Sequence, residues 1–298
     1  MPPRLRDYDL KDWSRLRPLT HALKTRHYRR VDAAYAREPA RDGNLDALIT
    51  RAKGRKLLLT IGYADAQAID WQAELVRYYL PDVFHAVADN SPDDASAAAV
   101  KFVAGAHGLP YLRLPPNRWP EGSRSHGLAL NWLWRNVVQP AEPQAFGFLD
   151  DDMFPTAADD PFRPLQAQDF YGWVREVGAR WFLFAGLCVF RFEAVRGKPL
   201  DFGQDWFIGL DTGGGNWDVL YRHVDRAALQ EMPGKFFPYK PGVETHAAPF
   251  QWLGSWLHEV GWPGNPEFTA DKRRVLAETL APHLAAARAA RAAQASRS

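Results

Sequence analysis

Residues 146–155 read Phe-Gly-Phe-Leu-Asp-Asp-Asp-Met-Phe-Pro, and this stretch is the most informative part of the chain. A short apolar run, typical of a buried strand, ends in three consecutive carboxylates, and Pro155 terminates the element. Burying three unpaired carboxylates inside a strand costs more free energy than the strand gains. The acids are therefore predicted at the carboxyl end of the strand, where open α/β sheets bind their ligands.

Three carboxylates in this position have two interpretations. Asp side chains that converge at a sheet edge are typical ligands of a hard divalent cation, which commonly brings phosphate groups with it. Asp is also common in solvated turns and at helix N-caps, where it binds no ligand. The order of the neighbouring segments favours the cation and phosphate site.

Apolar runs and helical segments alternate along the chain from residue 56 onward. Four strands are predicted, at residues 56–63, 83–88, 111–114 and 146–149, with helices between them. Such a series predicts an α/β fold of Rossmann-like type, in which a mostly parallel sheet is flanked by helices. The sequence contains neither G-x-G-x-x-G nor G-x-x-x-x-G-K, so a nucleotide would be held by carboxylates and a metal rather than by a glycine-rich loop.

The chain is predicted to have three parts: an N-terminal helical extension at 1–50, an α/β catalytic domain at 51–265 and a C-terminal helix at 266–298. Within the second part, residues 181–192 form a long apolar run that predicts a strand with a bulge at Gly186. Residues 236–262 are rich in Pro, Trp and His and are expected to be irregular.

Composition narrows the class of protein. The chain has 298 residues and a formal net charge of +2, which gives no overall argument for binding nucleic acid. A single cysteine, Cys188, excludes a disulfide framework within the chain and fits a reducing compartment. The sequence has no apolar run of about 18 residues and no apolar signal-peptide core near its start. A cytoplasmic location is therefore expected.

Residues 1–30 form a basic arm, with nine Lys or Arg against three Asp. Such an arm can contact an anionic membrane surface or an acidic acceptor. The interpretation favoured by sequence alone is a solvated helical face packed on the catalytic body. Peripheral membrane contact through this arm stays open.

The order of these segments resembles that of the GT-A fold nucleotide-sugar glycosyltransferases, in particular the inverting family-2 group. The resemblance runs from about residue 56 to residue 258, and five motifs carry it: Ile61-Gly62-Tyr63, Asp89-Asn90-Ser91, Gly127 with Asn131, the D-x-D-like Leu149-Asp150-Asp151-Asp152, and Ala185 to Arg191. It implies a GT-A-like domain that uses Mn²⁺ or Mg²⁺. The donor it implies is a UDP- or GDP-linked sugar, and the acceptor is a hydroxyl group on a carbohydrate, a lipid-linked molecule or a protein.

The resemblance also implies roles for residues of the donor site. Asp89 would accept hydrogen bonds from the nucleotide base, with Tyr63 packed near it and Ile61 closing the first strand. Asp150 would reach the ribose, and Asp151 would be a bystander or would support its neighbours. Asn131, on the same helix as Gly127, would lie close to the donor, and Gly186 would begin the strand beneath the acceptor site.

Metal binding is implied for Asp152, which would ligate Mn²⁺ or Mg²⁺ on the diphosphate. Some sites of this fold take a further ligand from a late histidine, and His258 is the better candidate here, with His246 second. Either histidine has an alternative interpretation as a hydrogen-bonded residue among aromatic side chains.

Inversion at a sugar carbon requires a carboxylate that takes the proton from the attacking hydroxyl. Asp211, at the head of the Gly213–Gly215 turn, is the first candidate for this base, Asp218 is the second and Asp205 the third. The family's usual Glu-Asp pair is absent, because neither Asp211 nor Asp218 follows a Glu. Asp211 has the alternative of simply stabilising the glycine turn.

Two other classes of function remain. Strand-end acids and a cation also serve nucleotidyltransferases and phosphohydrolases. Nucleotidyltransferases of related fold carry a basic, glycine-rich loop after the first strand, whereas this chain has Gly62-Tyr63-Ala64-Asp65 there. The last class is a sugar- or nucleotide-binding protein without catalytic activity.

Overall fold

The computed structural model describes residues 8–117, 119, 122–205, 207–244, 249–261 and 266–296. The helices are α1 Leu10–Ser14, α2 Arg17–Tyr35, α3 Leu45–Ala52, α4 Ala66–Tyr79, α5 Asp94–Ala106, α6 Gly122–Leu133, α7 Gln139–Ala141, α8 Phe192–Val195 and α9 Pro266–Ala295. The strands are β1 Asp42–Gly43, β2 Lys56–Gly62, β3 Phe84–Asp89, β4 Tyr111–Arg113, β5 Ala145–Asp150, β6 Met153–Pro155, β7 Phe170–Val177, β8 Arg180–Arg191, β9 Gly234–Pro238, β10 Pro249–Leu253 and β11 Trp256–His258.

A seven-stranded sheet in the order β1-β4-β3-β2-β5-β8-β7 forms the centre of the fold. Its four inner strands, β4, β3, β2 and β5, are parallel, and the outer strands β1, β8 and β7 pair antiparallel. Helices cover the sheet, which confirms the predicted α/β class with a mostly parallel sheet. The short strand β1 and the long strand β7 had no clear signal in the sequence.

The middle strand β2 shows why a continuous apolar run was the correct signal. Leu57 and Leu59 point into one hydrophobic cluster and Leu58 into another, and all three are fully buried. A parallel strand that is covered on both faces has no solvent side, so its apolar residues do not alternate with polar ones.

Strand register brings the acidic strand ends together. Ile61 of β2 lies opposite Asp150 of β5, and Gly62 lies opposite Asp89 of β3. Because these strands are parallel, their carboxyl ends meet at one edge of the sheet. The predicted position of the acids is therefore the observed one.

A second sheet, of order β6-β11-β10-β9, corrects the expectation for residues 236–262. These residues were expected to be irregular, but β9, β10 and β11 lie in this region and pair antiparallel. β11 also pairs with β6, which begins directly after the three acids. Strand pairing outweighs the turn-forming composition of this segment; it is local between β9, β10 and β11 and distant in sequence only between β11 and β6.

Strand β8 has the predicted irregularity. Gly172 of β7 pairs with Cys188 of β8, whereas Val174 pairs with Leu183, so several β8 residues around Gly186 face a single residue of β7. The region of the bulge is the one expected from the glycine.

Within the described ranges, no helix is both long enough and apolar enough to cross a membrane. The division of the chain into three parts stays a prediction.

Candidate functional site

Two adjoining cavities lie at the sheet edge where the acids meet. The first has a volume of about 210 Å³ and is lined by Ile61, Tyr63, Asn90, Trp119, Gly122, Ser125, His126, Asp150, Asp151 and Asp152. The second has a volume of about 230 Å³ and is lined by Gly122, Ser123, His126, Asp150, Arg175, Phe182, Phe184, Ala185, Gly186, Asp211 and Thr212. His126 and Asp150 line both cavities and therefore mark the boundary between them.

His126 and Asp150 form an ion pair, with Nε2 of His126 3.1 Å from Oδ1 of Asp150. Burial lowers the pKa of His126, but the charges of Asp150, Asp211 and Asp152 outweigh burial and raise that pKa above its ordinary value. Burial raises the pKa of Asp150, but the charge and hydrogen bond of His126 outweigh burial and hold that pKa below its ordinary value. The pairing therefore favours the charged form of both side chains.

We expect His126→Gln to destabilise the metal-free protein more near pH 6 than near pH 9. A histidine whose pKa is raised by folding stabilises the fold below its unfolded pKa of about 6.5, and this contribution is lost as the pH rises through the folded pKa. The lowered pKa of Asp150 acts in the opposite direction and only in acid, so it leaves this window intact. Thermal unfolding in EDTA tests this, because about 1 kcal/mol corresponds to about 2–4 °C. Equal losses at both pH values would contradict a charged His126.

Gly186 makes room for the Asp150 carboxylate. A Cβ atom at Gly186 would collide with Oδ2 of Asp150 and with the ring of Phe184. Both are ends of side chains that can move, so a methyl group there would displace Asp150 from its position without forcing the backbone apart.

The glycosyltransferase hypothesis predicts that Gly186→Ala weakens metal-dependent nucleotide binding by about tenfold, with little change in the free energy of unfolding. Gly172→Ala is the matched control, since a Cβ there would lie 2.9 Å from the backbone oxygen of Leu187, which cannot move easily. The control should lose about 1–3 kcal/mol of stability and keep its nucleotide affinity. If Gly186→Ala bound nucleotide like the unaltered protein, this explanation of the glycine would be wrong.

Asp151 supports the loop after β2. Its Oδ2 accepts a hydrogen bond of 2.6 Å from the backbone N–H of Tyr63. Burial, together with the neighbouring charges of Asp152 and Asp65, raises the pKa of Asp151 well above its ordinary value. The side chain of Tyr63 remains 55% exposed at the mouth of the first cavity.

Asp152 faces His258 across a short gap. Nε2 of His258 lies 3.5 Å from Oδ1 of Asp152, and this oxygen is buried without a hydrogen-bond partner. Nδ1 of His258 lies 3.0 Å from Oε1 of Gln251. Because an amide oxygen only accepts, this contact places the histidine proton on Nδ1 and leaves Nε2 free to bind a cation.

Asp152 and His258 could supply two of the ligands of a divalent cation. In the described ranges, no group of three or more His, Cys, Asp or Glu side chains is arranged to hold a metal ion. Asp152 and His258 nevertheless supply an oxygen and a nitrogen donor that face each other, and the orphaned oxygen of Asp152 needs a positive partner. A cation such as Mg²⁺ takes only one or two carboxylates from the protein and completes its shell with phosphate and water.

The long helix α9 is tied to the same region. Nη2 of Arg273 lies 2.7 Å from Oδ2 of Asp65 and 2.7 Å from Oε2 of Glu259. Burial raises the pKa of Glu259 to about 7, even though Arg273 opposes the shift. The backbone N–H of Glu259 donates to the backbone oxygen of Asp152. Arg273 thus connects the loop after β2 to the strand that carries His258.

Asp89 lies at the carboxyl end of β3, as expected, and its carboxylate is engaged within the protein. It is only 1% exposed, and its two oxygens accept hydrogen bonds from the Ser91 N–H and the Tyr111 hydroxyl. The next residue, Asn90, lines the first cavity instead. Asn90 donates from Nδ2 to Ser125, and its Oδ1 is buried without a partner.

The side chain of Asn131 holds the loop that contains Asp201 and Phe202. Its Nδ2 donates to Asp201, and its Oδ1 accepts from the backbone N–H of Phe202. A Cβ at Gly127 would lie 3.0 Å from the Cα of Gly203, so Gly127 lets α6 approach the same loop. Neither residue lines the two cavities, and their place beside the donor stays a prediction.

The three candidates for the base have different surroundings. Asp211 is exposed and lines the second cavity, where its Oδ1 accepts from the backbone N–H of Thr212. Asp218 forms an ion pair of 2.6 Å with Arg222. Asp205 lies 3.4 Å from His21 of α2. His246 lies outside the described residues.

Several residues that line the cavities were assigned no role by the sequence analysis. His126, Ser125 and Gly122 come from the first two turns of α6, and Trp119 precedes that helix. The helix itself was predicted, and a histidine between two small residues near its start was the available signal. Arg175 of β7 had no signal, because the position of β7 depends on its pairing with β8.

Neither a protein-family model nor a curated protein matches this chain. Solved structures with some similarity include the mannosyltransferase PcManGT from Pyrobaculum calidifontis in complex with GDP-Man and Mn²⁺, at a TM-score of 0.38 and 15% identity over 66% of this chain and 59% of that one. Glucosyl-3-phosphoglycerate synthase from Mycobacterium tuberculosis in complex with Mn²⁺ and UDP-glucose has a TM-score of 0.38 and 15% identity over 82% and 84%. The galactosyltransferase LgtC has a TM-score of 0.33 and 18% identity over 47% and 59%. The chain therefore matches about three fifths of the length of PcManGT and of LgtC.

Proposed function

We propose that this protein is a metal-dependent glycosyltransferase that moves a sugar from a nucleoside-diphosphate sugar to a hydroxyl acceptor, with inversion. One observation carries the proposal: two adjoining cavities meet at the His126–Asp150 pair. Asp151 and Asp152 line only the first cavity, and Asp211 lines only the second. Separate sites for a donor and an acceptor that share a boundary are what group transfer requires.

The first cavity is the proposed donor site. Tyr63 offers an exposed ring for stacking on a base, and the unpartnered Oδ1 of Asn90 would accept a hydrogen bond from a base N–H. Asp150 would bind the ribose, as the motif order implies. The amino end of α6 lines the cavity, and its positive end favours a diphosphate.

Asp152 and His258 are the proposed protein ligands of Mn²⁺ or Mg²⁺. A bound cation would act as a Lewis acid and neutralise the charge that develops on the departing nucleoside diphosphate. Gln251 orients His258 through Nδ1, and Asp151 holds Tyr63 in place beside the acids. The positive charge of His126 lies beside Asp150 and reduces the repulsion among the carboxylates.

Asp211 is the proposed general base. It lies in the second cavity, so it can take the proton from an acceptor hydroxyl that attacks the sugar from the side opposite the leaving group. The hydrogen bond from Thr212 fixes one carboxylate oxygen and leaves the other for the acceptor. Asp218 is less suited, because it is paired with Arg222.

A nucleotidyltransferase or phosphohydrolase is the second candidate, since it would also use strand-end acids and a cation. The loop after β2 favours sugar transfer, because Tyr63, Ala64 and Asp65 bring no basic side chain to the phosphates. A binding protein without turnover is the third candidate. It does not account for the exposed Asp211 in a cavity beside the donor acids.

Calorimetric titration with UDP, GDP, CMP and dTDP, each with and without Mn²⁺, tests the proposal. We expect tight binding of one nucleoside diphosphate only when Mn²⁺ is present, followed by turnover of the corresponding nucleotide sugar with an acceptor. Release of phosphate without sugar transfer would favour a phosphohydrolase. Absence of binding under all conditions would make the acids structural and refute the proposal.

A further inference from the structure

The N-terminal arm exposes an unusual number of large apolar side chains. The side chains of α1, of the turn after it and of the first two turns of α2 are exposed as follows: Leu10 89%, Trp13 44%, Leu16 65%, Leu19 58% and Leu23 60%. Single exposed leucines are common on protein surfaces, but five large apolar residues on one short arm indicate an interaction surface. We call this set the apolar arm surface.

The other face of the arm is already packed on the protein. His21 stacks on Phe207 at 4.4 Å, Asp32 pairs with Arg124 of α6, and the Tyr35 hydroxyl donates to the backbone of Pro115. These contacts hold α2 in one orientation. The apolar arm surface is therefore turned outward by the fold, and rotation of the helix cannot bury it.

Basic side chains continue the same face of α2. Leu19, Leu23, Arg26 and Arg30 follow a spacing of four, three and four residues, so they lie along one side of the helix. Arg26 and Arg30 are exposed, and neither has an ion pair within the part of the chain that the structure describes.

The arm as a whole is strongly positive. Residues 8–37 contain eight Lys or Arg and three Asp. Two of the three acids are already paired, Asp12 with Arg17 and Asp32 with Arg124. The outward face therefore combines leucines and a tryptophan near its start with uncompensated arginines farther along.

We propose that this arm docks on an anionic phospholipid bilayer. Leucine and tryptophan side chains would enter the boundary between head groups and acyl chains, and the arginines would meet the phosphates of the lipid head groups. A partner protein is disfavoured as the occupant, because the surface is only one helix wide and a stable protein–protein interface buries about 1,200–2,000 Å². A second copy of this chain is disfavoured as the occupant, because two strongly positive arms repel each other.

Sedimentation with lipid vesicles tests the proposal on the full chain. We expect binding to vesicles that contain about one third phosphatidylglycerol, weak binding to pure phosphatidylcholine, and loss of binding as salt is raised. The double variant Arg26→Glu with Arg30→Glu should bind at least about 30-fold more weakly, because each basic residue contributes about fivefold. Leu19→Ser with Leu23→Ser should bind at least about tenfold more weakly.

Two matched controls lie away from the arm. Phe102→Ser removes a side chain of α5 that is 77% exposed, and Lys53→Glu reverses an exposed charge after α3. Both should bind vesicles like the unaltered protein. Absence of vesicle binding, equal binding to neutral vesicles, or equal loss in controls and arm variants would overturn the proposal. So would light scattering that shows a dimer broken by the leucine variants. Nucleotide binding is not part of this test, so its outcome is independent of the proposed transferase activity.

Discussion

Asp152→Asn is expected to abolish the Mn²⁺ dependence of nucleotide binding, with affinity in the presence of metal reduced by about 100-fold or more. The substitution keeps the shape of the side chain and removes the negative charge that faces Nε2 of His258. Oδ1 of Asp152 makes no hydrogen bond, so the fold loses no contact. The metal-free variant should unfold at nearly the same temperature as the unaltered protein, because loss of the Asp152 charge relieves repulsion on Asp151 but removes attraction for His126.

Titration calorimetry and thermal unfolding, each with and without Mn²⁺, measure this result. Asp159→Asn is the matched control, since Asp159 lies near in sequence but pairs with Arg163 outside the two cavities. The control should keep metal-dependent binding. Unchanged affinity of Asp152→Asn with metal would exclude Asp152 as a ligand.

Asp211→Asn should lower sugar transfer by about 10²–10⁴-fold while donor affinity stays near normal, which is the usual effect of removing a positioned general base. The hydrogen bond from the Thr212 N–H to Oδ1 can persist with an amide oxygen, so the loop should keep its position. Donor binding is retained because Asp211 lines only the second cavity.

Steady-state rates at saturating donor, together with donor titration, measure this effect. Asp218→Asn and Asp205→Asn are the comparison variants, and each should retain most of the transfer rate. If Asp211→Asn transferred sugar at the normal rate and one comparison variant did not, the base would be that other residue. A loss of donor affinity in Asp211→Asn would instead indicate a role in the first cavity.

The fold could be predicted to a large extent from local patterns. Lys56–Gly62 and Ala145–Asp150 are strands as expected, because a strand buried on both faces must be apolar throughout its length. The three acids after the second of these strands lie at the sheet edge for the same reason, since their burial within the strand would be too costly. Residues 236–262 were not predicted as strands, because their composition indicates turns, and the strand pairing that outweighs it includes the pairing of β11 with the distant strand β6.

The candidate site could be predicted only in part. Asp150, Asp151, Asp152 and Asp211 line the cavities, and the position of each in the sequence pointed to a strand end or a turn. Asp89 lies at the predicted strand end, and its role at the donor stays a prediction, but its hydrogen bond with the Tyr111 hydroxyl on the neighbouring strand was not predicted. Nothing in the residues around Asp89 indicates that partner.

Local patterns were sufficient to predict the principal strands of the central sheet and the acids at its edge, because burial and charge act on each segment separately. The side chains that face those acids could be identified only from the folded chain. His258 reaches Asp152 because β11 pairs with β6, and His126 reaches Asp150 because α6 begins above the sheet edge. The pairing of distant strands and the packing of a helix on a sheet are non-local interactions, and no short stretch of sequence specifies them alone.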